Sequence, residues 1–195
     1  MDLLPLVLSK QWILLFVMNF FSIFLGLFIA NEYKVYWLTA KNHPSDQFIS
    51  TVGSLGSVFN GMRFVWSFLL DYWSYKQVYG LLLVLQILIA VTYPQIIEDP
   101  SLVGIWICLG YFCLGGHFTL TPNEMKKVFG EPATQLYSYL YMCFGITGVL
   151  EVVLQIFVMT IDNLQIFYYL YGGLSLVSLL ILLTMYTSEP CKILV

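Results

Sequence analysis

Long apolar runs separated by short polar segments dominate the chain. The charged residues fall in clusters, and the gaps between clusters have the length of a bilayer, because about 20 apolar residues in a helix span the ~30 Å hydrocarbon core. Shorter alternating stretches of about 10 residues, typical of a membrane barrel, are absent. The pattern predicts an all-α polytopic membrane protein. One domain, residues 1–195, contains six transmembrane helices at about 11–31, 47–70, 77–97, 101–123, 132–159 and 163–187.

The composition agrees with this prediction and excludes several classes of protein. Of the 195 residues, 59% are hydrophobic and 10% are charged, against roughly 25% charged in a typical soluble domain. A soluble enzyme cannot bury so much apolar surface. Eight Lys and Arg residues with a net charge of −3 provide no basic patch for nucleic acid. The aromatic content of 17% argues against disorder. The partner that composition predicts is the lipid bilayer.

The lysines of the polar segments predict the orientation, because cytoplasmic or matrix loops carry the excess of Lys and Arg. Lys34 and Lys41 fall on one side of the membrane. The lysines on the other side are Lys10, Lys76, Lys126, Lys127 and Lys192. Both termini are therefore expected inside, with the first helix as an uncleaved anchor. The sequence is compatible with the plasma membrane, an endomembrane or the mitochondrial inner membrane.

Polar residues recur at helical spacing in three of the predicted helices. On the second helix they share one face, and small residues at one end permit close helix packing. Arg63 on this face is expected to be buried, with a counter-charge from another helix, a partner or an anionic ligand, because no carboxylate lies one turn away. This stripe consists of Gly53, Gly56, Asn60, Arg63, Ser67 and Asp71.

The fourth and fifth helices carry similar stripes, in which His117 and Glu151 are ionisable. His117 is interpreted as a hydrogen-bonded interior histidine or as a proton relay, and Arg63 as a functional group or a member of a structural ion pair. The stripe on the fourth helix is Gly110, Cys113, His117, Thr121 and Glu124. The stripe on the fifth helix is Tyr137, Tyr141, Phe144, Gly148, Glu151 and Gln155.

No feature of the sequence predicts an enzyme, a metal site or a cofactor. The four cysteines lack Cys-x-x-Cys spacing, so neither a disulfide framework nor a zinc site is expected. No nucleophile–base spacing and no phosphate-binding glycine loop is present.

Two segments resemble a family of membrane transporters. Residues 59–71, Phe-Asn-Gly-Met-Arg-Phe-Val-Trp-Ser-Phe-Leu-Leu-Asp, followed by Lys76, resemble the eighth helix and following loop of the major facilitator superfamily, most closely its oxalate/formate-antiporter-like and monocarboxylate branch. Residues 115–122, Gly-Gly-His-Phe-Thr-Leu-Thr-Pro, with Phe129-Gly130 and the Tyr137, Tyr141 and Gly145 spacing, resemble its tenth and eleventh helices.

The resemblance implies the carboxy-terminal half of such a transporter, a six-helix bundle of two three-helix repeats. In the family, an arginine on the eighth helix and a lysine on the eleventh bind a dicarboxylate. Arg63 matches the arginine, whereas Phe144 stands at the lysine position, which implies a monocarboxylate at most. The family loop motif is degenerate: Asp71 and Lys76 remain, and Ser67 replaces its first glycine.

Because transporters of this kind work as two halves around a central site, the polar face of the second and fifth helices should need a cover. The first hypothesis is an accessory subunit that no longer transports by itself and packs against other membrane subunits. The second is half of an organic-anion carrier, completed by a homodimer, by a separate amino-terminal half, or as part of a longer chain. Arg63 would anchor the anion, Asn60 and Tyr141 would orient it, and Glu151 or His117 would take up a proton.

Overall fold

A computed structural model describes residues 3–160 and 163–191 of the chain. In this part the protein is helical. The helices are α1 (Leu4–Val7), α2 (Lys10–Trp37), α3 (Asp46–Gly61), α4 (Phe64–Tyr72), α5 (Tyr75–Thr92), α6 (Pro100–Phe129), α7 (Ala133–Phe157) and α8 (Leu164–Thr184). A 3₁₀ turn, Tyr93–Gln95, extends α5.

Side chains at the helix termini define where several of the helices begin. Asp99 accepts hydrogen bonds from the backbone N–H groups of Ser101 and Leu102 at 3.0 and 3.2 Å, and Pro100 occupies the first turn of α6. Ser74 and Gln77 form a capping box at the start of α5. Both arrangements satisfy N–H groups that have no partner within the helix.

Five helical segments are long and apolar enough to cross a membrane. They are Lys10–Trp37, Tyr75–Gln95, Pro100–Phe129, Ala133–Phe157 and Leu164–Thr184. These helices are compatible with an integral membrane protein. The predicted span at 47–70 is not among them, because it is divided between α3 and α4. Neither part reaches the ~20 residues that a single spanning helix requires, although the two follow each other directly.

The connections alternate between the two ends of the bundle, as the prediction requires. At one end the indole of Trp12 donates to the carbonyl of Leu136, next to the lysine-rich connections. At the other end the carboxylate of Glu98 accepts from the backbone N–H groups of Lys41 and Asn42 at 3.2 Å. We call these the Trp12 end and the Glu98 end. Lys192, which entered the orientation argument, lies outside the described residues.

Two predicted helix ends are wrong. The first helix continues beyond residue 31 to Trp37, so Glu32 and Lys34 lie in a helix and not in the connection. The fourth continues through Pro122 to Phe129. Proline removes one N–H donor from a helix. Beside it, the side-chain amide of Asn123 donates to the carbonyl of Thr119 at 2.9 Å.

The helix α2 lies at the centre of the bundle, where it packs against α5, α6, α7 and α8. Its side chains Leu15, Phe28 and Trp37 are fully buried. The helix α6 packs against α2, α3, α4, α5 and α7, whereas α8 packs mainly against α2 and α5. The α3–α4 segment and α7 therefore both contact α6, on a different side of the bundle from α8.

Candidate functional site

The break between α3 and α4 lies at the residues that the sequence singled out. Met62 ends α3, and its backbone N–H reaches the carbonyls of Val58 and Phe59 at 3.1 Å. In a continuous helix the carbonyl of Asn60 would accept from the N–H of residue 64. Here it accepts from the side-chain Nε of Arg63 at 3.3 Å. Arg63 therefore supplies a donor to a carbonyl that the break leaves without one.

The double glycine of α6 allows the broken segment to approach closely. A Cβ atom added at Gly115 would lie 2.5 Å from the carbonyl oxygen of Asn60, closer than any real carbon makes such a contact. At Gly116 it would meet the indole of Trp66 at 3.0 Å. Gly115-Gly116 therefore has a packing role at the break, the role that small residues have between membrane helices.

Arg63 lies on the surface of the chain. The side chain is exposed at the edge of α6, so the described residues of this chain do not provide the burial that the sequence predicts. Its guanidinium carbon lies 4.9 Å from the ring centroid of Phe118, within the range of a cation–π contact. No carboxylate among residues 3–160 and 163–191 comes within 4.0 Å of it; the ion pair found there joins Lys34 to Asp46 at 3.8 Å.

Aromatic residues of α7 complete this part of the surface. The rings of Phe118 and Tyr141 lie 6.0 Å apart, and those of Tyr141 and Tyr137 lie 5.9 Å apart. Tyr137 is close enough to Arg63 to feel its charge, and Tyr141 is 47% exposed. We call Asn60, Arg63, Phe118, Tyr137 and Tyr141 the Arg63 cluster. It brings together three of the predicted site residues: Asn60, Arg63 and Tyr141.

The Arg63 cluster has the chemistry of an anion or carboxylate site. A guanidinium offers several N–H donors in a plane that fits a carboxylate, and tyrosine hydroxyls can add further hydrogen bonds. The side-chain oxygen of Asn60 is buried without a hydrogen-bond partner. The cluster is open on one side, so a ligand or a partner protein could reach the guanidinium without displacing a residue of this chain.

His117 belongs to a different part of the molecule. Its ring is fully buried, and Nδ1 lies 3.4 Å from the hydroxyl of Tyr79, which in turn lies 2.9 Å from the hydroxyl of Ser22. The Nε2 atom has no hydrogen-bond partner. His117 thus faces the interior between α2 and α5, while its neighbour Phe118 faces Arg63.

Glu151 is separated from the Arg63 cluster as well. It follows Phe144 by seven residues on α7, which corresponds to about 10 Å along the helix axis. Its side chain is fully buried, and its Oε2 accepts from Nδ2 of Asn31 on α2 at 3.4 Å. The expectation that Glu151 needs a cover from outside the chain is wrong, because α2 covers it.

The residues of the degenerate loop motif lie at the Trp12 end. Lys76 donates to the carbonyl of Leu183 at 2.8 Å and so caps the last turn of α8. The Ser67 hydroxyl accepts from the amide of Asn123 at 3.5 Å. Asp71 is exposed and lines a cleft of about 270 Å³ with Lys127.

Sequence reasoning missed Glu32, which it placed in a connection. In the structure Glu32 lies on α2 and accepts a hydrogen bond from the side-chain amide of Gln155. The signal that could have found it is the run of aromatic residues that continues after it, since Tyr36 follows Glu32 by one helical turn. Aromatic residues at that spacing indicate that the helix extends past the charge.

In the described ranges, histidine, cysteine and carboxylate side chains do not form a possible metal-binding site. No group of three or more of them lies together there, and the four cysteines are free and buried.

Comparisons with known proteins identify no relative: neither the protein-family models nor the curated proteins match the sequence.

Proposed function

We propose that this protein is a transporter-derived subunit of a larger membrane assembly, with the Arg63 cluster as the contact surface for its partner. The observation that carries the proposal is an exposed arginine with no carboxylate partner among the described residues, at the junction of α3 and α4. A charged group facing hydrocarbon is costly, and such groups normally face a bundle interior, a water-filled cavity or a partner.

The chemistry of the cluster indicates what the partner contributes. Arg63 donates from Nε to the carbonyl of Asn60 and has one face over the ring of Phe118, and its terminal N–H groups meet no carboxylate among the described residues. A carboxylate or several backbone carbonyls from the partner would satisfy it. The exposed rings of Phe64 and Tyr141 flank the charge and provide apolar area around it, the arrangement that anchors many protein interfaces.

Site-specific photo-crosslinking in native membranes tests this proposal. A photoreactive residue at Tyr141 should give a discrete protein adduct. The matched control is Leu180 on α8, which is 53% exposed but lies on a helix packed against α2 and α5; it should label lipid. Lipid labelling at both positions, together with a monomeric chain in mild detergent, would contradict the proposal.

The charge itself is tested by a pair of alanine variants. Arg63→Ala should remove the partner from the purified complex, because the partner's carboxylate or carbonyls lose their donor. Lys34→Ala removes an equally basic group that pairs with Asp46 elsewhere on the chain, and should leave the complex intact. Equal recovery of partner with both variants would show that Arg63 is not the contact.

A second function is favoured by the helix break itself. Broken helices near the middle of a membrane often bind substrates, with the amino-terminal end of one half directed at an anion. Arg63 lies at the start of α4, so an organic monocarboxylate could bind there between this chain and a second half. Saturable, Arg63-dependent uptake of a labelled monocarboxylate into proteoliposomes would support this function over the structural one.

A further inference from the structure

Two glutamates from different helices meet at the contact between α2 and α7. Asn31 and Glu32 are neighbours on α2, and Glu151 and Gln155 lie one turn apart on α7. The amide of Asn31 donates to Glu151 at 3.4 Å, and the amide of Gln155 donates to Glu32. Each carboxyl group therefore meets an amide of the opposite helix. We call Glu32 and Glu151 the carboxyl pair.

Polar atoms without partners point into this pair. Glu151 is 0% exposed, and its Oε1 has no hydrogen-bond partner. Tyr171 on α8 is 1% exposed, and its hydroxyl also has none. Buried polar atoms in folded proteins are normally hydrogen-bonded. A proton on Glu151 would let its carboxyl group donate as well as accept a hydrogen bond.

Among the described residues, no salt bridge joins the carboxyl pair to a basic side chain. The titratable groups that act on it from the neighbouring elements are tyrosines: Tyr171 and Tyr168 from α8, and Tyr36 and Tyr93 next to Tyr168. Lys34 pairs with Asp46 instead. Glu151 is fully buried, and Glu32 is partly buried. A buried carboxylate without a cation is strongly unfavourable.

We propose that Glu32 and Glu151 form a proton-binding site that holds one exchangeable proton between them. Taking up the proton from water turns one carboxylate into a carboxylic acid, and the remaining charge is stabilised by the amides of Asn31 and Gln155. Such a pair titrates as a unit. The site goes beyond the proposed function, since Glu151 lies about 15 Å along α7 from Tyr141 of the Arg63 cluster and is covered by the chain itself.

Release of the proton would act on the packing of α7. Of the five spanning helices, α7 has the smallest buried share in its most apolar stretch, 28% against 56% for α2. Two negative charges between α2 and α7 would oppose their contact near the Glu98 end. The contact at the Trp12 end, from Trp12 to Leu136 at 3.2 Å, contains no titratable group and would stay.

Infrared spectroscopy of the purified chain in phosphatidylcholine vesicles tests the site, because a protonated carboxyl group has its own C=O stretching band. The native chain should show a band that disappears as the pH is raised. Glu151→Gln should remove this band at every pH. Glu32→Gln should keep the band and move its titration to lower pH, since the neighbouring negative charge is gone. Glu98→Gln, in an exposed connection, is the matched control and should change neither the band nor the pH at which it titrates.

Each of these results bears on the proposal. A band that Glu151→Gln does not affect, or a titration that Glu32→Gln does not move, would overturn it. Glutamine has the shape of a protonated glutamate, so both variants should fold; if Glu151→Gln does not, Glu32→Gln alone decides. Replacing sodium by choline should leave the titration unchanged. A band that appears only without sodium would assign the site to an alkali cation and overturn the proton assignment.

Discussion

The indole nitrogen of Trp66 donates a hydrogen bond to the backbone carbonyl of Phe112 at 2.9 Å, and the rings of the two residues stack with their centroids 4.7 Å apart. This relationship joins α4 to α6 directly after the helix break. Trp66 is 1% exposed, although the residues on both sides of it in α4 face outward. The contact therefore holds the short helix α4 in place and, with it, Arg63.

Trp66→Phe should lower the free energy of unfolding by about 1–3 kcal/mol, because it removes the indole hydrogen bond and leaves part of the indole volume unfilled. Trp73→Phe is the matched control, since Trp73 is 50% exposed and lies just after α4. Denaturant titration in detergent micelles measures both. An equal, small effect of the two substitutions would show that the indole contact does not stabilise the break.

Gly115→Ala should destabilise the chain by about 1–3 kcal/mol, because the added methyl group overlaps the carbonyl of Asn60. The same substitution at Gly145, where nothing lies within 4 Å of the added atom, should be neutral or stabilising by up to ~1 kcal/mol through helix propensity. Thermal unfolding in detergent compares the two. Similar stability of both variants would contradict the close approach of α3 to α6.

Thr121→Val should cost about 1 kcal/mol, the scale of hydrogen bonds between membrane helices. Thr121 donates to the side-chain oxygen of buried Asn19 at 2.7 Å, and valine keeps the volume without the donor. A double-mutant cycle with Asn19→Leu isolates the pair. Thr134→Val, exposed at the start of α7, serves as the control. A coupling energy near zero between Thr121 and Asn19 would contradict the contact.

Tyr186→Phe should release the segment that follows α8. The hydroxyl of Tyr186 donates to the carboxylate of buried Glu124 at 2.6 Å, and a hydrogen bond to a charged group contributes about 1.5–3 kcal/mol. The backbone N–H of Cys191 also reaches the carbonyl of Val128 at 3.0 Å. Hydrogen exchange and carboxypeptidase digestion should both accelerate at this segment. Tyr139→Phe, on an exposed ring, should accelerate neither.

The hydrogen bond between Tyr186 and Glu124 also predicts how digestion of this segment depends on pH. Burial, and then the charge of Glu124, raises the pKa of Tyr186. A group whose pKa is raised by folding stabilises the protein at pH values below its pKa in the unfolded state, which is about 10 for tyrosine. This stabilisation is lost as the pH rises through the pKa of the folded state. Digestion of the segment should therefore be independent of pH near neutrality and accelerate only in alkaline solution. Acceleration near neutral pH would contradict this.

The hydrophobic pattern predicted the third, fifth and sixth helices well. The predicted segments 132–159 and 163–187 correspond to Ala133–Phe157 and Leu164–Thr184, because long apolar runs and the charges at their ends depend only on local sequence. Glu32 misled the prediction of the first helix, since its charge was taken as the end of the apolar run, whereas in the structure it lies inside the long helix and accepts from the amide of Gln155.

The sequence by itself predicted a helical chain with six membrane-length segments, five of which correspond to long apolar helices, and it located the charges within them. Only the tertiary structure decided how these charges are used. Arg63 and Glu151 are similar in the sequence, each a lone charge in an apolar run. The helix is interrupted at Arg63, and the side chain of Arg63 is exposed, whereas Glu151 is buried where α7 packs against α2. Burial depends on which helices pack together and at which positions along their axes. The spacing of residues along one helix does not contain that information.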